Sequence, residues 1–142
     1  MDEVEEVLPV TSILKGVRGA LGLGIDDTSF DHELVMHING ALGTLVQNGV
    51  IKPLVVSSVD QVWDDLKDPE TIEYDYMFEQ VKLFVFVKTK ILFDPPPPST
   101  AKYMDDYATE LLWRLRESYD VTRKDVNSDE LGRIKSYDIF GD

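Results

Sequence analysis

The chain has 142 residues, 43% hydrophobic and 10% aromatic, with no cysteine. This is enough apolar material for one domain with a core, and it excludes a wholly disordered chain, a disulfide framework and thiolate metal sites. Fourteen Lys and Arg against 27 Asp and Glu leave a formal net charge of −13, which argues against retention of nucleic acid, since binding phosphates requires basic neutralisation.

In chain order, the acidic start MDEVEEVLPV lacks the basic residues and apolar stretch of a secretory signal. Synthesis in the cytoplasm is expected. Ile13, Leu14, Val17 and Leu21 then fall at helical spacing, which predicts a helix over Thr11–Leu21. Thr11 or Ser12 would cap its start, and Gly22 and Gly24 would end it. A second helix is predicted over Phe30–Asn48, capped by Thr28 or Ser29, with Phe30, Leu34, Ile38, Ala41, Leu42 and Leu45 on one face. Gly40 and Gly43 inside it each cost roughly 1 kcal/mol relative to Ala, which suggests a neighbouring backbone in close approach. Val50–Ser58 is β-branched but broken by Pro53, so an irregular loop or short edge hairpin is expected. One or two helical turns come next around Val62, Trp63 and Leu66, with Ser57 or Ser58 as cap.

Ile72–Phe93 reads both ways. Val81, Leu83, Val85 and Val87 alternate like a strand, whereas Met77, Val81, Phe84 and Ile91 share a helical face. Acids Glu70, Glu73, Asp75 and Glu79 precede Lys82, Lys88 and Lys90, the order that suits a helix dipole. A helix buried on several sides is therefore predicted. Pro95, Pro96, Pro97 and Pro98 must end it, because proline lacks an N–H and disfavours helix in the residue before it. The four prolines form a stiff helix–helix corner. Ser99 or Thr100 would cap a fourth helix to Tyr119, with Met104, Tyr107, Ala108, Leu111 and Leu115 inward and a Glu110–Arg114 pair outward. Residues 1–119 thus read as one all-α domain of four helices, and 120–142 as an extended C-terminal arm. The arm's apolar cluster, Ile134, Tyr137, Ile139 and Phe140, is a candidate docking element for a partner.

No nucleophile motif, P-loop or zinc-protease pattern is present, and Gly22-Leu23-Gly24 lacks the third glycine of a dinucleotide fingerprint. His32 and His37 are five apart, off the spacing of paired helical ligands. The pairs Asp26-Asp27, Asp64-Asp65 and Asp105-Asp106 read as solvated helix ends and faces. Trp63 and Trp113 read as core or interface residues. No catalytic residue, cofactor or metal is expected, and an enzyme is the weaker class.

The order "ILKGVRGALGLGIDDTSFDHELVMHINGALGTLVQNGV", "QVWDDL", "VKLFVFVKTKILFDPP", "YMDDYATELLWRL" resembles the small head–tail connector proteins of long-tailed phages, also called adaptor or head-completion proteins. The resemblance runs from Ile13 to Leu115. It rests on the combination of Asp31, His37-Ile38-Asn39, Gln47-Asn48-Gly49-Val50, WDDL and LFDPP. It implies a helical virion subunit in a homo-oligomeric ring, twelve-fold in the virion, beneath the portal protein. Such a ring would extend the DNA channel and hold a head-closure or tail-completion protein, with DNA passing unbound and no membrane involved. The four-proline run and the long tail depart from the usual pattern. Between Asp60 and Glu79, eight acids face one lysine, and Asp60, Asp64, Asp65, Asp68 and Glu70 are candidate channel-facing residues. The alternative reading is a small acidic inhibitor or DNA mimic that binds a basic DNA-handling protein.

Overall fold

The structure is a computed structural model that describes residues 11–67 and 75–126. Among the described residues the fold has four α-helices: α1 (Ile13–Ala20), α2 (Asp31–Gln47), α3 (Asp75–Phe93) and α4 (Pro98–Val126). A 3-10 turn, Trp63–Leu66, lies between α2 and α3. The ambiguous third segment is a helix, and it packs against α2 on one side and α4 on the other. Met77, Phe78, Val81, Phe84, Val85 and Val87 are all buried, which is why its sequence is apolar nearly all round.

Ser12 caps α1, its hydroxyl accepting from the Lys15 N–H at 3.3 Å. The helix closes on Gly22 (φ +86°), where the N–H groups of Gly22 and Leu23 return to the carbonyls of Gly19 and Arg18. Gly49 (φ +74°) ends α2 the same way, and the Val50 N–H reaches the Leu45 carbonyl at 3.0 Å. Val50 and Leu45 are both fully buried, so the turn is held by packing as well as by hydrogen bonds.

Several local expectations are corrected. Neither Thr28 nor Ser29 caps α2: Phe30 occupies that position without a side-chain bond, and the Ser29 N–H is taken by Asp27. Phe30 is half-exposed rather than core, and meets Phe93 edge-to-face at 5.3 Å. Gly40 and Gly43 have no neighbour within 4 Å of where a Cβ would stand, so no described backbone of this chain approaches them. They lie on an outer face with exposed Met36, and from Leu34 to Ile51 the sequence has no Asp, Glu, Lys or Arg.

Val50–Ser58 is irregular and forms no hairpin. The Ser12–Val62 bridge ties the chain just ahead of the 3-10 turn to the start of α1, with Ile13 N–H on the Gln61 carbonyl and Trp63 N–H on the Thr11 carbonyl, both 3.0 Å. The 3-10 turn is capped by Asp65, which accepts from the Val62 N–H, rather than by Ser57 or Ser58. Those two serines instead donate their N–H groups to Gln61.

At the corner, α4 begins one residue earlier than expected, at Pro98, where a missing N–H costs nothing. The Pro97 carbonyl accepts from the Ala101 N–H at 2.9 Å, so Pro97 takes the capping position and Ser99 and Thr100 lie within the helix. Pro95, Pro96 and Pro97 form the connection itself. Helix α4 runs to Val126, so residues 120–126 continue the helix instead of opening an extended arm. Ile134, Tyr137, Ile139 and Phe140 lie outside the described residues.

Candidate interaction surfaces

The anticipated acidic site separates into local pairs. Asp60 is exposed, and its N–H is held by the Ser58 hydroxyl at 3.0 Å. Asp64 pairs with Lys67 at 3.3 Å, and Asp65 caps the 3-10 turn. The structure thus brings these three to one short segment, while Asp68 and Glu70 lie outside the described residues. Of the other acid pairs, Asp26 lies 3.8 Å from Lys15, Asp105 meets Lys88 and Asp106 meets Lys102. The turn to Ser29, through its side chain first and its N–H second, holds the Asp27 carboxyl below the usual carboxylate range. Burial opposes this shift slightly, and Arg18 adds a small electrostatic contribution.

His37 is half-buried and reaches Glu33 across one helical turn at 3.1 Å, while His32 is exposed. Among the described residues no group of three His, Asp or Glu side chains is placed to hold a metal ion. Among them, too, no helix is long and apolar enough to cross a membrane.

Two polar constellations that the sequence did not reveal organise the molecule. Arg18, on the buried face of α1, is almost fully enclosed and forks onto both oxygens of Asp31. Its signal was an arginine one turn after Leu14 on an apolar face, with an acid opening the next helix. Asn39 makes a two-way bond with the Val56 backbone, accepting its N–H at 2.8 Å and donating to its carbonyl at 2.9 Å. It acts as a one-residue strand partner and pins the irregular loop, whose Val56 side chain is buried.

Among the described residues, two surfaces stand out as candidates for partners. On α4, Tyr103 (73% exposed) and Trp113 (60% exposed) stand in solvent. Trp63 is core and Trp113 is not, which divides the two tryptophans between the roles open to them. Between α1 and α3 lies a groove of about 390 Å³, floored by Gly16, Ala20, Trp63, Leu83 and Phe86. Gly16 makes room for the indole there, since a Cβ would meet Trp63 Nε1 at 3.2 Å.

The sequence profile of the phage connector protein family matches residues 13–122, from the first residue of α1 into the last turns of α4. The chain belongs to the phage connector protein family. No curated protein and no solved structure gives a significant match. The connector is therefore a structural phage protein of the head–tail junction, of a family that is structural rather than enzymatic. All four helices fall within or largely within the matched span. Arg18, Asp31 and Asn39, which tie α1, α2 and the loop together, lie inside it as well.

Proposed function

We propose that this connector is one subunit of a closed homo-oligomeric ring, twelve-fold in the virion, seated under the portal protein. It extends the DNA channel and offers a platform to a head-closure or tail-completion protein. The observation that carries this reading is the family match across α1–α4. The exposed aromatics of α4 support it, because Tyr103 and Trp113 stand largely in solvent rather than in the chain's own core. Large exposed aromatic groups are typical anchors of protein interfaces. Ring closure lets a modest patch suffice, since each subunit repeats the same heterologous contact.

The segment carrying Asp60, Asp64 and Asp65, continuing to Asp68 and Glu70, faces the lumen in this reading and repels passing DNA. The tail beyond Val126, with Ile134, Tyr137, Ile139 and Phe140, docks on the portal or on an adjacent subunit. Each of these side chains gains roughly 1.5–3 kcal/mol on full burial, before the ordering cost of the tail.

The test is incorporation into portal-bearing heads. Removal of residues 127–142 leaves the helical body folded by circular dichroism and abolishes incorporation. Trp113→Ser leaves the stability of the isolated chain within about 0.5 kcal/mol and lowers incorporation. Normal incorporation of both variants, or tight salt-sensitive binding of duplex DNA by the purified chain, would overturn the reading. The alternative, an acidic mimic of DNA, is less well supported. Asp64, Glu79, Asp106 and Glu110 are each paired with a lysine or arginine three or four residues away, which breaks up any phosphate-like array.

A further inference from the structure

We propose that the groove between α1 and α3 is the seat for residues 134–140 from a second copy of this chain. The proposal rests on the ring reading and gives the tail a specific acceptor.

The groove is apolar at its floor and charged at its rim. Trp63, Leu83 and Phe86 supply the apolar surface, and Glu79 and Lys82 the rim, bonded to each other at 2.9 Å. Lys82 Nζ also lies 5.9 Å from the centre of the Trp63 ring, which fixes a positive charge over the aromatic wall. The segment IKSYDIF has the matching chemistry. Ile134, Tyr137, Ile139 and Phe140 are apolar, while Lys135 and Asp138 are opposite charges at the same three-residue interval as Glu79 and Lys82. Lys135 facing Glu79 and Asp138 facing Lys82 would place every charge against its opposite.

The length of α4 favours a neighbour's tail over the chain's own. Lys88 Nζ meets Asp105 at 3.4 Å, which sets the register of the antiparallel α3–α4 pair. Along α4, Val126 stands about 31 Å past Asp105, whereas Glu79 and Lys82 stand only about 14 and 9 Å back from Lys88. Val126 therefore stands about 17–22 Å beyond the chain's own groove. To return, residues 127–134 would have to double back across about 17–22 Å of the roughly 27 Å that eight residues span when fully extended, whereas a groove on a neighbour calls for no reversal. The same overhang carries Val126 away from its own groove.

The absence of native cysteine permits a direct test on the full-length chain. Ala20→Cys, at the groove, and Tyr137→Cys, in the tail, are made as separate proteins, mixed, and treated with a short bis-maleimide. Met36→Cys on the outer face of α2 replaces Ala20→Cys in the control. The expected result is a heterodimer yield on the order of tenfold above the control, because a seated tail has a high effective concentration. Lys82→Glu lowers the yield, and adding Asp138→Lys restores it. A yield equal to the control overturns the proposal, as does a double-cysteine chain that cross-links only within itself. Normal cross-linking with failed incorporation into heads would count against the connector reading alone. Normal incorporation without cross-linking would count against the groove alone.

Discussion

Arg18 and Asp31 meet across thirteen residues of sequence, with Nε to one carboxylate oxygen at 3.0 Å and Nη2 to the other at 2.5 Å. A third bond, from Nη1 to the Ile25 carbonyl at 2.5 Å, secures the turn between α1 and α2. The guanidinium is 2% exposed and the aspartate side chain 28%, so this is a largely desolvated fork.

Removing one partner strands a buried charge. Asp31→Ala is expected to destabilise the chain by about 3 kcal/mol, since breaking a buried ion pair costs more than replacing it. The double variant Arg18→Met/Asp31→Ala recovers most of that loss. Urea unfolding of the two variants checks both the size and the ordering.

The Asn39 amide is expected to hold the loop as a unit with α2. Asn39→Ala loses two hydrogen bonds to Val56 and costs about 2 kcal/mol. Asn39→Asp does not rescue it, because a carboxylate accepts the Val56 N–H but sets negative oxygen against the Val56 carbonyl. Hydrogen exchange at Val56 reads this directly, with protection lost in Asn39→Ala and weakened in Asn39→Asp.

These two constellations mark where sequence reading ended. The helices were legible because their apolar residues recur at helical spacing, as at Leu34, Ile38 and Leu45. The Lys82, Lys88 and Lys90 gradient also settled the one segment that alternated like a strand. The proline corner was legible because proline's covalent geometry is local. Arg18 and Asn39 were not, because a long-range polar bond has no period. Nothing around Val56 announces that its backbone is met by a side chain seventeen positions away. The glycines misled for a related reason: their cost is intrinsic to the helix, but nothing in the described chain approaches Gly40 and Gly43.

Those glycines supply a third prediction. With open space at each Cβ position, Gly40→Ala and Gly43→Ala each stabilise the isolated chain by about 1 kcal/mol. Thermal unfolding measures the gain, and a loss of stability in either would show that a neighbour is already in place.

Thr89 is fully buried in α3, and among the described residues its hydroxyl has no hydrogen-bond partner. Thr89→Val keeps the shape and removes the unsatisfied oxygen, for an expected gain of about 1 kcal/mol. Denaturant titration should show a higher midpoint with an unchanged slope.

Asp27 gives the pH prediction. Its folded pKa lies below the ordinary 3.8, chiefly through its bonds to Ser29. A depressed folded pKa means that the contribution is present above the unfolded value and is lost as pH falls through the folded one. Carboxylate chemical shifts should therefore place the Asp27 midpoint below 3.8. Ser29→Ala, which removes the larger cause, moves it upward.

The uncharged stretch that runs from Leu34 in α2 to Ile51 carries a consequence for handling as well as for assembly. Ionic strength acts only on charge, and its reach at 0.15 M is about 8 Å. The outer face of α4, with Asp106, Glu110 and Arg114, lies fully under that influence. The face of α2 around Gly40 and Gly43 carries no Asp, Glu, Lys or Arg of its own to be screened. Salt therefore sorts the two sides of the molecule: electrostatic contacts through α4 fade as it rises, and any contact through this side of α2 persists.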